Sequence, residues 1–300
     1  MSVLRVIEPG FRSTLQDAGR SAHMRSGIPP AGPADPVAFE AAQRLVGNTA
    51  ADAAIEVVGT PFRFSLDAPR LVAATGREVG LRARGAIGGW TSAFVRAGEE
   101  VVVEGTPRTR FAYLAVSGGI AVTPVLGSRA TYLPAGIGPL SRRLTAGDAL
   151  PLGAPRWGAD RAGRALLRSE ASEVHVVRGP HADRSADVAA FLRGTFRVSE
   201  RSDRMGVRLE GPALAARAAE ILSIGVLAGA VQVSHGGHPI VLLADHQTTG
   251  GYPVIASVIV ADLGLVAQAV PGEELSFYEV DREAARDALR AQRGWLDRIA

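Results

Sequence analysis

Glycine and proline interrupt this chain so often that long uninterrupted helices have little room to form: 35 Gly and 18 Pro are spread over 300 residues. Between the breaks lie short runs of β-branched and apolar residues, which suit extended chain. The clearest are Val3 to Ile7, Arg70 to Ala74, Val101 to Val103, Phe111 to Val116, Val174 to Arg178, Ala230 to Val233, Ile240 to Ala244 and Leu275 to Val280. Helical patterns are fewer. Asp35 to Val46 has a capping aspartate, Pro36 at the first helical position and a shared face of Val37, Ala41, Ala42, Leu45 and Val46. A second pattern covers Ala182 to Leu192, and a terminal one runs from about Asp281 to Ile299, interrupted at Gly294. The balance predicts a mainly β, β-rich α+β chain, with barrels or sandwiches decorated by a few helices. Strand and helix do not alternate regularly, so a Rossmann arrangement is rejected.

One span mimics a membrane helix in hydropathy, Tyr252 to Val270, with Asp262 its single charge. Pro253, the Val/Ile density of residues 254–260 and Asp262-Leu263-Gly264 predict two short buried extended segments around a turn instead. The length favours two domains. Leu152 to Glu170, rich in Gly, Ala and Arg and without period-two alternation, reads as the connection, giving domains over 1–155 and 170–300. Met1 to Arg5 lead straight into a strand-like run with no basic, apolar leader, so a cytoplasmic location is expected.

The chain holds neither cysteine nor lysine, and its 33 basic side chains are all arginine. This rules out disulfides, thiolate zinc sites and cysteine nucleophiles. It also excludes a Schiff base, a Walker lysine and covalently attached biotin. The net charge of +3 is dispersed among 30 acids, aromatics make up 5%, and no basic stripe is present, which argues against nucleic-acid binding.

Four polar clusters fall in glycine-rich turns. Pro9-Gly10 leads to Thr14-Leu15-Gln16-Asp17-Ala18-Gly19-Arg20, which reads equally as a functional loop or as a turn whose backbone Asp17 caps. Gly27 to Asp35 is a stiff Pro/Gly loop ending at a helix N-terminus, which could receive an anion or simply be capped by Asp35. Arg201 to Leu209 places three arginines and Asp203 in one stretch, fit for a carboxylate or for a solvated strand. The richest, Gln232 to Pro239 followed by Asp245 to Pro253, surrounds an apolar strand with donors and acceptors, as binding sites often do. His235, His238 and His246 fit no familiar metal spacing, so no metal site is expected. Ser234-His235-Gly236 is no nucleophile elbow, because Gln232 stands at the first glycine position.

Taken in order, five motifs resemble the KipA-like family, that of the C-type subunits of 5-oxoprolinase, related to allophanate hydrolase subunit 2 and to urea amidolyase carboxyltransferase domains. They are Pro9-Gly10 with Gln16 to Arg20; Leu45-Val46-Gly47-Asn48; Tyr113 to Ile120 leading to Leu126-Gly127-Ser128-Arg129; Ser202-Asp203-Arg204-Met205-Gly206; and Gln247 to Pro253. Ala31-Gly32-Pro33-Ala34-Asp35 stands where the family often reads Ser-Gly-Ala-Met-Asp, so Asp35 survives and the serine hydroxyl does not.

The resemblance implies two cyclophilin-like β-barrel domains, an N-terminal carboxyltransferase-type domain and a C-terminal barrel. It implies ATP-dependent opening of 5-oxo-L-proline to L-glutamate by a complex with a KipI-like subunit and a third subunit, with ATP and Mg acting in the complex. In the carboxyltransferase branch biotin would arrive on a separate carrier. A third possibility is a non-catalytic binder of a KipI-like protein. Neither nucleic acid nor membrane is among the implied partners. Asp35, Arg204, Gln247 and Tyr252 are the catalytic candidates. Gln16, Asp17, Arg20, Asp203, Thr248, Thr249, Gly250 and Gly251 are the substrate-binding candidates. Chemically, Arg20 and Arg204 would clamp a carboxylate or phosphoryl group, while Asp35, Gln247, Thr248 and Tyr252 would orient a ring amide.

Overall fold

The short apolar runs become strands, and two units of the chain use them differently. The computed structural model describes residues 2–157, 163–165, 173–182, 188–214 and 221–299. The first unit comprises Met1–Arg20, Ala31–Arg168 and Trp295–Ala300; the second comprises Ser21–Pro30 and Ser169–Gly294. Among the described residues no helix is long and apolar enough to cross a membrane.

In the first unit a six-stranded sheet runs in the order Ala149–Pro151, Val3–Glu8, Phe62–Leu66, Glu100–Glu104, Gly80–Arg82 and Ala86–Gly88. A five-stranded sheet runs Thr14–Gln16, Ala54–Val57, Ala112–Val116, Arg70–Gly76 and Thr91–Val95, with every pairing in both sheets antiparallel. Phe62, Phe64 and Leu66 alternate inward along one strand, and they meet Leu4, Val6, Val101, Val103 and Leu150 in one core. Arg70–Gly76 and Ala112–Val116 are buried along their whole length because helix α1 (Pro36–Leu45) packs on them.

Helix α1 begins as its sequence predicts. The Asp35 carboxylate accepts from the Val37 and Ala38 amides at 3.1 Å each, with Pro36 at the first position. It ends at Gly47, whose φ of +75° lies in the left-handed region, with its amide donating to the Arg44 carbonyl at 3.0 Å. A Cβ there would sit 2.6 Å from the Trp157 ring. Gly47→Ala is therefore expected to cost at least about 1–2 kcal/mol from backbone conformation alone. The check is a lowered urea midpoint with an unchanged m-value.

The second unit closes a seven-stranded barrel in the order Glu173–Arg178, Val254–Val258, Ala230–Val233, Pro239–Leu242, Gly206–Glu210, Thr195–Val198 and Glu274–Glu279. Closure comes from a parallel pairing of the last strand with the first, Glu173 opposite Ser276 through Val176 opposite Glu279. Phe191 of helix α2 (Val188–Arg193) stacks on Phe277 at 4.6 Å between ring centroids and lies 5.5 Å from Phe196, which anchors the helix to the barrel.

Three sequence expectations change. The segment beyond Tyr252 holds one strand, Val254–Val258, and then a 3-10 turn at Val260–Asp262 and helix α3 (Leu263–Gln268) in place of a second extended piece. A short buried apolar run reads the same in helix and strand, and here Asp262 turns the chain by accepting the His175 backbone amide at 2.8 Å. Helix α4 (Arg282–Leu296) runs through Gly294, whose cost of about 1 kcal/mol is outweighed by the strong helix formers before it. The expected connector at Leu152 to Glu170 starts inside the first unit: the Leu152 amide donates to Ser2 at 2.8 Å, and Gly163 and Ala165 bond to the strand at Thr91–Val95 and to Trp90. Residues 158–162 and 166–170 of that connector, and 183–187 of the expected second helix, lie outside the described residues.

Candidate functional site

In the first unit the motif residues converge on one buried polar knot. Asp17, 5% exposed, accepts from the Gly19 amide at 2.9 Å and from the Ser128 hydroxyl and the Arg129 amide at 2.5 Å each. Thus Gln16 to Arg20 and Leu126 to Arg129, far apart in sequence, form one structural clasp. Gln16 donates through Nε2 to Thr14 Oγ1 at 2.9 Å and to the Thr131 carbonyl at 3.1 Å. Its Oε1 and Thr131 Oγ1 are buried acceptors without a hydrogen bond among the described residues. Arg20 is buried and donates through Nη2 to the Ala130 carbonyl. Gly32, at φ +85°, lets the following loop pass within 3.2 Å, measured from a virtual Cβ, of the Asp17 carbonyl.

That loop leads to Asp35, whose side chain caps α1 and whose own amide donates to the Tyr113 hydroxyl at 2.7 Å. Tyr113 in turn donates to Glu56 Oε2 at 2.9 Å, which also accepts from the Ala34 amide at 2.9 Å. Asn48 joins the next two motifs, donating to the Val116 carbonyl at 2.8 Å and accepting from the Gly118 amide at 2.9 Å.

In the second unit, strand direction sorts the candidates into two groups. Arg204 precedes Gly206–Glu210 and Asp245 follows Pro239–Leu242, and these neighbours are antiparallel with Gly206 opposite Leu242. The two side chains therefore meet: Arg204 Nε and Nη2 each reach an Asp245 oxygen at 2.9 Å, with side-chain exposures of 5% and 2%. Tyr252 lies at the opposite ends of these strands, where the Val233 amide donates to Pro253 at 3.0 Å and Val233 pairs with Pro239. Asp203 is engaged locally, accepting from the Met205 and Gly206 amides at 2.8 and 3.3 Å.

Residues 246 to 251 bridge the two ends. The His246 ring and the Gln247 carbonyl are 2.6 Å apart through Nδ1, and since a carbonyl only accepts, Nδ1 carries the proton. Gln247 Nε2 donates to Gln232 Oε1 at 3.0 Å, and Gln232 Nε2 donates to the Tyr252 carbonyl at 3.4 Å. Thr248 accepts the Val226 amide at 3.1 Å, and Thr249–Gly250 pairs with Ile224–Gly225 as a small two-stranded ribbon. The Tyr252 ring, 36% exposed, packs edge-to-face on His235 at 5.2 Å.

Burial pushes His246 below its ordinary pKa of 6.5, against weaker upward pulls from its bond to Gln247 and from Asp245. A depressed histidine stabilises the fold fully above its unfolded pKa and loses that contribution as pH falls toward the folded one. Stability is thus expected to decline below about pH 6.5. His246→Gln should flatten that part of a pH series of urea midpoints.

Among the described residues no group of three or more His, Asp or Glu could hold a metal ion.

Residues 26–279 match the family described as carboxyltransferase domain, subdomain A and B. This chain belongs to that carboxyltransferase family. The C-type subunit of 5-oxoprolinase from Escherichia coli (strain K12) is 36% identical, with 99% of this chain and 98% of that one covered. The protein of the same name from Haemophilus influenzae is 34% identical over 99% and 97%. The crystal structure of Kluyveromyces lactis urea amidolyase superposes with a TM-score of 0.91 at 26% identity, and this chain, 99% covered, spans 20% of that enzyme.

Motif reading missed Glu56, and it placed Gln232 and His246 in the richest polar cluster without giving either its partner. Glu56 carried a signal, a carboxylate inside the otherwise apolar run Ala54-Ile55-Glu56-Val57, because a charge in a fully buried strand needs dedicated donors. Gln232 opened the richest polar cluster, but its partner Gln247 lies 15 residues on, so the pairing itself was not legible.

Proposed function

We propose that this carboxyltransferase-family chain is the C-type subunit of an ATP-dependent 5-oxoprolinase, which opens 5-oxo-L-proline to L-glutamate together with a KipI-like subunit and a third subunit. The observation that carries this reading is the end-to-end match with two free-standing proteins named as the C-type subunit of 5-oxoprolinase, at 36% and 34% identity and with 98% and 97% of their lengths covered. The carboxamide of Gln247, whose nitrogen donates to Gln232, supports recognition of a neutral ring amide, because its oxygen can accept the ring N–H. ATP with its magnesium is assigned to the assembled complex. Hydrolysis of an unactivated lactam has a high barrier, and phosphorylation of the amide oxygen would supply the activation. Reconstitution with the two partner subunits should give ATP-dependent glutamate formation. Full activity after omission of this chain would overturn the assignment.

A second reading, carboxyl transfer from biotin to urea or a related amide, is favoured by the TM-score of 0.91 with urea amidolyase. The absence of lysine does not fit covalent biotin on this chain, so biotin would come on another protein. Turnover indifferent to avidin and to bicarbonate would dismiss it.

A further inference from the structure

We infer that Gln232 is a positioning residue, holding the Gln247 carboxamide so that its oxygen accepts the N–H of a substrate amide; this rests on the lactam reading above. Three contacts define the geometry. Gln232 is 1% exposed on a barrel strand, and its Oε1 receives Gln247 Nε2 at 3.0 Å. Its own Nε2 is directed to the Tyr252 carbonyl at 3.4 Å, which fixes which end of the Gln232 amide is oxygen. The Gln247 main chain is held separately, its carbonyl accepting the His246 ring N–H at 2.6 Å.

With its nitrogen against Gln232 Oε1, the Gln247 carboxamide turns its oxygen away from Gln232. Gln247 Oε1 makes no hydrogen bond among the described residues, and the residue is only half-buried, so that acceptor is available to a ligand. Rotated by half a turn, the same side chain would offer a donor and would face Gln232 oxygen to oxygen. Gln232 therefore selects the acceptor. The selectivity this gives is for primary or secondary amides, whose N–H can be donated, over esters and lactones.

Gly250 completes the arrangement. A Cβ at this position would lie 2.6 Å from Gln232 Nε2 and 3.2 Å from Gln247 Nε2. The clash falls on ends of flexible side chains, so Gly250→Ala displaces the two carboxamides while leaving the backbone in place.

The test has two arms. In the isolated chain, 15N-labelled at glutamine, the side-chain NH2 of Gln247 should exchange slowly; Gln232→Leu should raise the exchange rate by about fivefold, the value of one lost hydrogen bond, and Gln232→Glu, which buried as the protonated acid keeps an acceptor for Gln247 and an O–H donor for the Tyr252 carbonyl, should retain protection. In the assembled complex, Gln232→Leu and Gly250→Ala should raise KM for 5-oxoproline by about tenfold while moving kcat less, and should lose the preference for lactam over its lactone analogue, measured as an inhibitor. Gln232→Glu should restore most of that preference. Unchanged exchange in Gln232→Leu, or equal losses in the leucine and glutamate variants that track their thermal stability, would overturn the inference. A wild-type complex that fails to open the lactam would instead overturn the substrate reading, and exchange would still decide whether Gln232 positions Gln247.

Discussion

Asp245→Ala is expected to destabilise the second unit by about 3–5 kcal/mol, because it leaves the Arg204 guanidinium buried without its counter-charge. Both side chains are almost fully excluded from solvent, and both Nε and Nη2 of Arg204 are matched to Asp245 oxygens at 2.9 Å. Bidentate geometry of this kind offsets much of the cost of removing two charges from water, and single removal cancels the offset while keeping the cost. The double change Arg204→Met with Asp245→Leu should recover most of the loss, since no charge then remains to be solvated. Urea unfolding of the three variants measures this directly; equal midpoints for Asp245→Ala and wild type would contradict the pair's role.

The same double variant bears on catalysis. The sequence presents Arg204 as an anion clamp, and the structure gives two of its nitrogens to Asp245. If the folded double variant supports turnover in the complex at the wild-type rate, Arg204 is an architectural residue. If turnover vanishes while the fold persists, the charge of the pair acts on the substrate.

Much of the architecture was legible in the sequence because strand signals are local. The apolar run at Arg70 to Ala74 and the β-branched runs at Val101 and Val174 sit within a few residues of themselves, and helix α1 carried its Asp35 cap and Pro36 at its first position. What was not legible depends on partners distant in the chain. Arg204 reads as an exposed charge until strand pairing sets Gly206 opposite Leu242 and delivers Asp245, 41 residues away. Leu263–Gln268 could not be told from a strand, because a short apolar run has no period and the residue that turns it, Asp262, bonds to His175, 87 residues away. The polar cluster from Asp245 to Pro253 looked like one site, and the antiparallel strands distribute it between two barrel ends.

Asp17→Ala should cost about 3 kcal/mol, with Asp17→Asn near half of that. Asp17 receives three donors at once, the Gly19 and Arg129 amides and the Ser128 hydroxyl, in a place where only 5% of the residue meets solvent. Alanine leaves all three donors unsatisfied. Asparagine keeps one acceptor oxygen and sets an NH2 against donors it cannot receive. Because the clasp ties the strand at Thr14–Gln16 to residues 128–131, the loss should appear as a lower urea midpoint for the first unit, accompanied by faster amide exchange at Arg129. The motif resemblance makes Asp17 a substrate-binding candidate, and the two roles separate by experiment. If Asp17 serves the fold alone, activity of the asparagine variant in the complex should follow the fraction folded. A rise in KM under conditions where the variant remains fully folded would assign Asp17 a contact with substrate as well.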